Sequence, residues 1–326
     1  MIPHIDTNLY LNRWVAIIHN RVVGVGITAE QARRAAQQIR PKDRATLLFI
    51  DKAGQARTTE PESTASLLPN WIDQHPLLQT VADILHEQSI EAYLVGGAVR
   101  DILLGRETID DLDFTVPDNG LIVARHVANK LNAAFYPLDS ERGTGRVVYE
   151  VEQGVAIEQR HLDFATFRQP SLQGDLADRD FTINAMALDL TQPDTLIDPY
   201  KGQQDIEKQQ IRVVGQDAFD NDPVRVLRAI RQASEFNFSL EAQTRRLLPN
   251  AAEKLSTISP ERQRDELIKL LNTPNPNRSV QMLSHLGVLP HILPEIALLV
   301  GVEQTAPHHL DVFDHTLAAL QVWQTL

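Results

Sequence analysis

The chain of 326 residues has no cysteine. Disulfides, thiolate metal sites and cysteine nucleophiles are therefore excluded, and nothing points to an oxidising compartment. Apolar runs long enough to cross a bilayer are missing too. The first ten residues carry His4 and Asp6 where a secretory leader needs a basic patch and an apolar stretch, so a cytoplasmic protein without membrane association is expected. Positive charge is in deficit: 31 Lys and Arg stand against 43 Asp and Glu, a net charge of -12. That balance argues against a protein that coats nucleic acid by phosphate neutralisation alone. The deficit is uneven, however, because from Ile206 to Leu270 there are 11 basic and 10 acidic residues. What is present, 43% apolar and 23% charged residues, is ordinary for a folded chain, and the length allows about two or three domains.

Residues 1–55 read as a small α/β unit. Apolar runs at Trp14–Ile18 and Val22–Val25 suggest a hairpin, Thr28 is placed to cap a helix from Ala29 to Ile39, and Thr46–Ile50 adds a strand. Residues 56–76 are rich in Thr, Ser, Pro and Glu and read as a linker. Residues 77–205 show a mixed pattern: helices at Leu77–Gln88, Ala98–Leu104 and Leu121–Leu131 alternate with strands at Ala92–Val95, Leu112–Val116, Ala133–Tyr136, Val147–Glu152 and His161–Phe167. From 206 to 285 the periodicity is helical almost throughout.

The first chemical constellation is the run from Tyr93 to Asp101, with Gly96-Gly97 between an apolar strand and a helix. Two glycines alone make a tight turn. A strand that feeds through glycines into a helix also presents backbone N–H groups and a dipole end to phosphate, and Arg100 adds charge on the first turn. Asp111 and Asp113 follow, two apart on a strand, so both carboxylates project from one face while Leu112 and Phe114 face the core. Hard oxygen donors in a pair suit Mg²⁺, and in nucleotidyl transfer two such ions about 4 Å apart activate the attacking oxygen and stabilise the leaving one. Asp163 is placed to supply a third carboxylate from a neighbouring strand.

The run Leu94 to Gly105, followed by Asp111-Leu112-Asp113, resembles the opening signature of class II tRNA nucleotidyltransferases and bacterial poly(A) polymerases, and the likeness extends from about Leu77 to Leu271. The resemblance implies an α+β fold: a polymerase-β-like nucleotidyltransferase head of mixed sheet and helices, then an all-helical neck and body for base reading and RNA binding. It implies metal binding by Asp111 and Asp113, catalysis by these with Asp163, and nucleotide contacts from Gly96, Gly97, Arg100 and Asp101. The expected activity is template-independent addition of C and A from CTP and ATP to tRNA 3′ ends, with Mg²⁺ as cofactor. Enzymes that add CCA, CC, a lone A or a poly(A) tail share these motifs. A nucleotide-sensing or phosphohydrolase protein is the second reading.

Further segments carry the same likeness. Asp178 to Ala187 is similar to the family's Arg-Arg-Asp-Phe-Thr-x-Asn-Ala motif, with Asp178 in place of the first arginine. Arg179 can meet a triphosphate, Asp180 can orient it or bond the ribose, and Asn184 can bond sugar or phosphate; Asp180 and Thr182 also suit a helix cap. Asp198 to Gly202, with Asp205, reads as a hinge. Asn221 to Arg231 resembles the family's Glu-Asp-x-x-Arg-x-x-Arg helix, with Asn221 in place of the glutamate. Asp222 before Pro223 is a good N-cap, while Asp222 and Arg225, three apart, can act as a pair that accepts C and A and rejects G and U. Arg228 and Arg231 extend the same face.

Asp139 to Val148 falls where the family has a flexible loop. Gly143 and Gly145 permit hinge motion there, and Arg142 or Arg146 can swing onto the nucleotide; a plain hairpin fits equally. Ser259-Pro260-Glu261-Arg262 with Glu266 reads as a capped helix whose charges face solvent. Residues 286–326, with His308, His309, Asp311, Asp314 and His315, are similar to the opening of a metal-dependent HD phosphohydrolase domain. The later His-Asp pair of that family is missing before Leu326, so a truncated domain is expected.

Overall fold

The computed structural model describes residues 10, 13–19, 21–26, 29–41, 43, 45–50, 56–57, 75–106, 111–153, 156–190 and 195–323. Most of the 56–76 linker and the Thr28 cap lie outside the described residues. Two compact units divide the chain: Met1–Leu172 with Met186–Pro199, and Gln173–Ala185 with Tyr200–Leu326.

The first unit contains two sheets. Strands β1 (Arg13–Ile18), β2 (Arg21–Gly26), β3 (Thr46–Ile50) and β4 (Ala56–Arg57) lie in the order β2-β1-β3-β4, with helix α1 (Ala29–Ile39) alongside. Alternation in β1 sends Trp14, Ala16 and Ile18 to Ala32 and Ala36 of α1, and Val15 and Ile17 to Leu48 and Ile50 on the other face. This agrees with the hairpin, helix and strand read from the sequence.

The larger sheet has seven strands: β5 (Tyr93–Val95), β6 (Asp111–Val116), β7 (Ala134–Asp139), β8 (Thr144–Gln153), β9 (Ala156–Thr166), β10 (Ala187–Asp189) and β11 (Leu196–Ile197), in the order β11-β10-β5-β6-β9-β8-β7. Helices α2 (Pro76–Glu87), α3 (Gly97–Leu103) and α4 (Gly120–Leu131) connect them. Only β6 and β9 run parallel; every other neighbouring pair is antiparallel. Directly paired residues share a face. One face is apolar: Phe114 and Phe164 stack with ring centroids 4.7 Å apart. Gly145, paired with Phe164, lies on that face beneath α4.

A Cβ at Gly145 would stand 2.8 Å from Ala124 Cβ and 2.9 Å from Phe135, and one at Gly143, whose φ is +63°, would stand 2.4 Å from Thr166 Oγ1. These glycines admit close packing in the plain hairpin, one of the two readings of this stretch. Residues 139–148 form the β7–β8 hairpin, its turn closed by the amides of Glu141 and Arg142 on Asp139 Oδ1.

The second unit is helical, with α5 (Leu172–Ala177), a 3₁₀ turn (Thr182–Asn184), α6 (Gly202–Glu207), α7 (Ala218–Asn221), α8 (Arg225–Glu235), α9 (Ala242–Ala252), α10 (Pro260–Leu271) and α11 (Pro276–His285), then α12 (Leu289–Ile292), α13 (Pro294–Ala297) and α14 (Val312–Trp323). Two short strands, β12 (Gln210–Ile211) and β13 (Ser239–Leu240), pair in parallel. Helix α8 is the core element: Val226, Leu227, Ala229, Ile230 and Ala233 are fully buried, the i, i+3, i+4, i+7 pattern of an amphipathic helix. The fold is thus α+β, a mixed sheet with helices followed by a helical region.

Candidate active site

The face of the seven-stranded sheet opposite α4 carries the acidic residues. Asp113 pairs with Asp163 and Asp111 with His161 across β6 and β9, so Asp113 and Asp163 stand side by side at a strand spacing of about 4.8 Å. Val95, which precedes the Gly96 turn, pairs with Asp113 from the other side. Val95, which leads into the glycine turn, Asp113 and Asp163 therefore lie in one row across three adjacent strands, with Asp111 two residues away on the same face.

Each carboxylate has a protein partner in reach. Arg146 of β8 pairs with Asp163 in register and grips it as a fork, Nε to Oδ1 and Nη2 to Oδ2, both at 2.7 Å. The hydrogen bond to Asp163, then the charges of Asp163, Asp111 and Asp113, hold the Arg146 pKa above its ordinary value against the opposing effect of burial. His161 Nδ1 lies 3.0 Å from Asp111 Oδ1, and Asp111 is 71% exposed. Neither partnership was read from the sequence; the alternation of β8 and β9 was visible, but their register was not. Among the described residues, no three His, Cys, Asp or Glu side chains converge tightly enough to cage a metal unaided. Asp111 and Asp113, exposed hard oxygen donors on one strand face, nonetheless fit a divalent ion that completes its shell with water and phosphate.

Gly96 has φ +74° at the start of α3, a conformation that favours glycine. Arg100 does not stand open on this turn. It forks onto Asp101, with both bonds 3.0 Å, and folds back over Gly97, where a Cβ would lie 3.3 Å from Nη2. Arg106 reaches the same Asp101 oxygen at 3.6 Å.

In the second unit the motif residues form a buried polar network. Asp180 Oδ2 accepts Nε and Nη2 of Arg228 at 2.8 and 2.6 Å, and its Oδ1 accepts the Phe181 amide and Asn184 Nδ2. Asn184 also donates to Gln232. The helix cap that Asp180 and Thr182 also suit is not made: Asp180 serves Arg228 and Asn184, and Thr182 donates to Asp205 Oδ2 at 2.5 Å. Asp205 further accepts from Gln210 and Arg212, so this buried carboxylate ties three segments of the second unit together.

Glu266 is 5% exposed and takes Arg231 Nε at 2.5 Å, with Arg228 Nη1 at 3.8 Å. Glu266 alone departs from the expectation that the α10 charges face solvent, since Glu261, Arg262, Arg264, Asp265 and Lys269 are exposed and Ser259 does cap that helix. Asp222 and Arg225 have separate partners. Asp222 Oδ2 accepts Arg262 Nη2 at 2.8 Å, while Arg225 donates to the carbonyls of Asp178, Arg179 and Ala218. Helix α8 starts at Arg225, so Asp222, at the end of α7, is not its N-cap residue. Arg179 Nη2 reaches Asp175 at 3.4 Å, but its buried Nε has no hydrogen-bond partner.

Near the end of the chain, Asp311 accepts the amides of Gly301 at 2.7 Å and Asp314 at 2.6 Å, which depress its pKa. A carboxylate committed to these amides is spent as a loop and helix cap, and His308 meets His315 only edge to face at 5.6 Å.

Comparison with known proteins joins these features. The chain matches the Poly A polymerase head domain over residues 92–212 and the probable RNA and SrmB-binding site of polymerase A over residues 237–299, together more than half its length. A CC-adding tRNA nucleotidyltransferase of Geobacter sulfurreducens is 38% identical over 213 residues, which is 65% of this chain and 48% of that protein. An A-adding tRNA nucleotidyltransferase of Deinococcus radiodurans is 41% identical over 234 residues, covering 70% and 51% respectively. The solved structure of a Thermotoga maritima CCA-adding enzyme complexed with tRNA aligns with a TM-score of 0.61 at 32% identity, over 75% of this chain and 57% of that one. The chain spans about half the length of the curated relatives it matches. The mixed sheet with helices, continued by a helical region, is the fold of polymerase-β-like nucleotidyltransferases. Within that class, the chain belongs to the family of tRNA nucleotidyltransferases and bacterial poly(A) polymerases.

Proposed function

We propose that this chain adds C, A or both, from CTP and ATP, to the 3′ ends of tRNA in the cytoplasm without a template. The observation that carries the reading is the in-register Asp113–Asp163 pair, with Asp111 on the same open face, one strand from the Gly96 turn. In this reading residues 77–205 are the transferase head and residues 206–285 the base-reading and RNA-binding body, while residues 1–55 and 286–326 lie outside the chemistry.

Asp111 and Asp113 would hold Mg²⁺, which when bound activates the attacking hydroxyl and neutralises charge on the leaving group. The 3′-hydroxyl oxygen of the RNA bonds the α-phosphorus, the bond from that phosphorus to the β-phosphate bridging oxygen breaks, pyrophosphate leaves, and the hydroxyl proton passes to solvent. Asp163 orients the reacting end beside Asp113. Gly96 and Gly97 let the nucleotide approach the backbone, and Arg100 and Asp101, now paired with each other, shape that turn. Arg179 is suited to a phosphate oxygen, since its buried Nε is a donor with no other partner. Asp180, Asn184, Arg228 and Arg231 hold the motif segments of the second unit in place through their network, and Asp222 with Arg225 reads the base edge by exchanging present partners for it.

The test is incubation with tRNA lacking its terminal nucleotides and one labelled nucleoside triphosphate at a time. Incorporation of C or A with little G or U is expected, and the extent of C and A addition separates CC, A, CCA and poly(A) products. Equal incorporation of all four would remove the base-reading role of Asp222 and Arg225.

A further inference from the structure

One cation is built into the row of carboxylates. Across the sheet the row runs Val95, Asp113, Asp163, Arg146, each paired with the next. The Arg146 fork occupies both oxygens of Asp163, and the charges of Asp111 and Asp113 act on the same guanidinium. The fork is two-thirds shielded from solvent, with the Arg146 side chain 32% and Asp163 20% exposed. An arginine does not shed its charge in any ordinary pH range, so this partner of Asp163 cannot be neutralised; it can only be displaced.

We propose that Arg146 is a resident counterion that keeps the carboxylate row weak for free divalent ions, so that the ion enters together with its nucleotide rather than ahead of it. The inference rests on the nucleotidyltransferase reading and concerns the order in which that site fills. A divalent ion arriving alone at Asp111 and Asp113 meets the guanidinium that grips the neighbouring Asp163 and finds both Asp163 oxygens engaged. A triphosphate changes both conditions. Its negative charge offsets the repulsion between ion and guanidinium, and its oxygens offer Arg146 a fork-shaped alternative to Asp163. A divalent ion on Asp113 and a guanidinium on the neighbouring strands, on the order of 5 to 10 Å apart in a largely hydrated site, repel enough to weaken ion binding by about tenfold.

The measurement is a Mn²⁺ titration of the full chain without nucleotide or RNA, with free Mn²⁺ read by electron paramagnetic resonance. Arg146→Met is expected to bind Mn²⁺ about tenfold more tightly than the unaltered chain. Arg146→Lys, which keeps the charge and loses the fork, should stay within about twofold of the unaltered chain. Thermal unfolding of each variant checks that the fold is retained, and Arg146→Gln replaces the methionine variant if that one unfolds. Unchanged or weaker Mn²⁺ binding in the neutral variant overturns the proposal, because Arg146 would then hold Asp163 ready for the ion. An equal shift in the lysine variant overturns it as well, since geometry rather than charge would be responsible. Neither nucleotide nor RNA is present, so the titration can fail while the transfer reaction stands.

Discussion

Asp180 shows how one residue can look like a ligand and act first as structure. Burial pushes its carboxyl pKa up, but the charge of Arg228 and hydrogen bonds from Asn184, Arg228 and the Phe181 amide outweigh burial and leave the pKa below the ordinary carboxylate value. A depressed folded-state pKa stabilises the fold fully above the unfolded value of about 4 and loses that contribution as pH falls through the folded value. Asp180→Ala leaves Arg228 short of its main partner and is expected to cost about 3 kcal/mol at neutral pH, measured by urea unfolding. The deficit should shrink in acid, where the unaltered chain protonates Asp180; a deficit independent of pH would contradict the ion-pair account. The sequence displayed Arg225, Arg228 and Arg231 at helical spacing, which suggested one basic face for nucleotide. It did not show Glu266, on a separate helix, which turns two of these arginines into a buried network. Partners distant in sequence leave no periodic trace.

Elements were legible where their periodicity ran long enough. The helices α2, α3 and α4 and the strands β5 to β8 begin within three residues of their expected positions, because alternation and the 3.6 period persist over several residues in most of them, whereas β9 begins at Ala156, five residues before the expected His161. Strands β10 and β11, of three and two residues, are too short to show any period and were not anticipated. The start of α8 also shifted: Asp222-Pro223 has the composition of an N-terminus, but the chain spends Asp222 on Arg262 and the Val224 amide. At α9 the cap is less conventional. Glu241 accepts the amides of Gln243 at 3.0 Å and Thr244 at 2.9 Å, and although burial pushes its pKa up, these bonds pull it lower. Glu241→Ala should therefore destabilise the second unit by about 1 kcal/mol, while Glu241→Asp, a favoured capping residue, should recover part of it. Equal melting temperatures for the alanine variant and the unaltered chain would show that the cap contributes nothing.

At the scale of the whole molecule, the chemistry divides along the chain's two compact units. The carboxylate row and glycine turn belong to the first, and the network around Asp180 and Glu266 belongs to the second. The division explains how much of the candidate site could be read in advance. Asp111, Asp113 and the glycines sit in one short stretch of sequence, whereas the contacts of Asp163 with Arg146 depend on a strand register that sequence does not state. The account therefore stands on the first unit's carboxylates being the reaction centre. Labelled CTP and ATP incorporation into tRNA lacking its terminal nucleotides, compared between the unaltered chain and Asp111→Ala at matched folded fraction, tests this most directly. The account predicts a fall of at least about a thousandfold, the scale on which loss of transition-state charge stabilisation acts. Incorporation by Asp111→Ala within a few fold of the unaltered chain would contradict it.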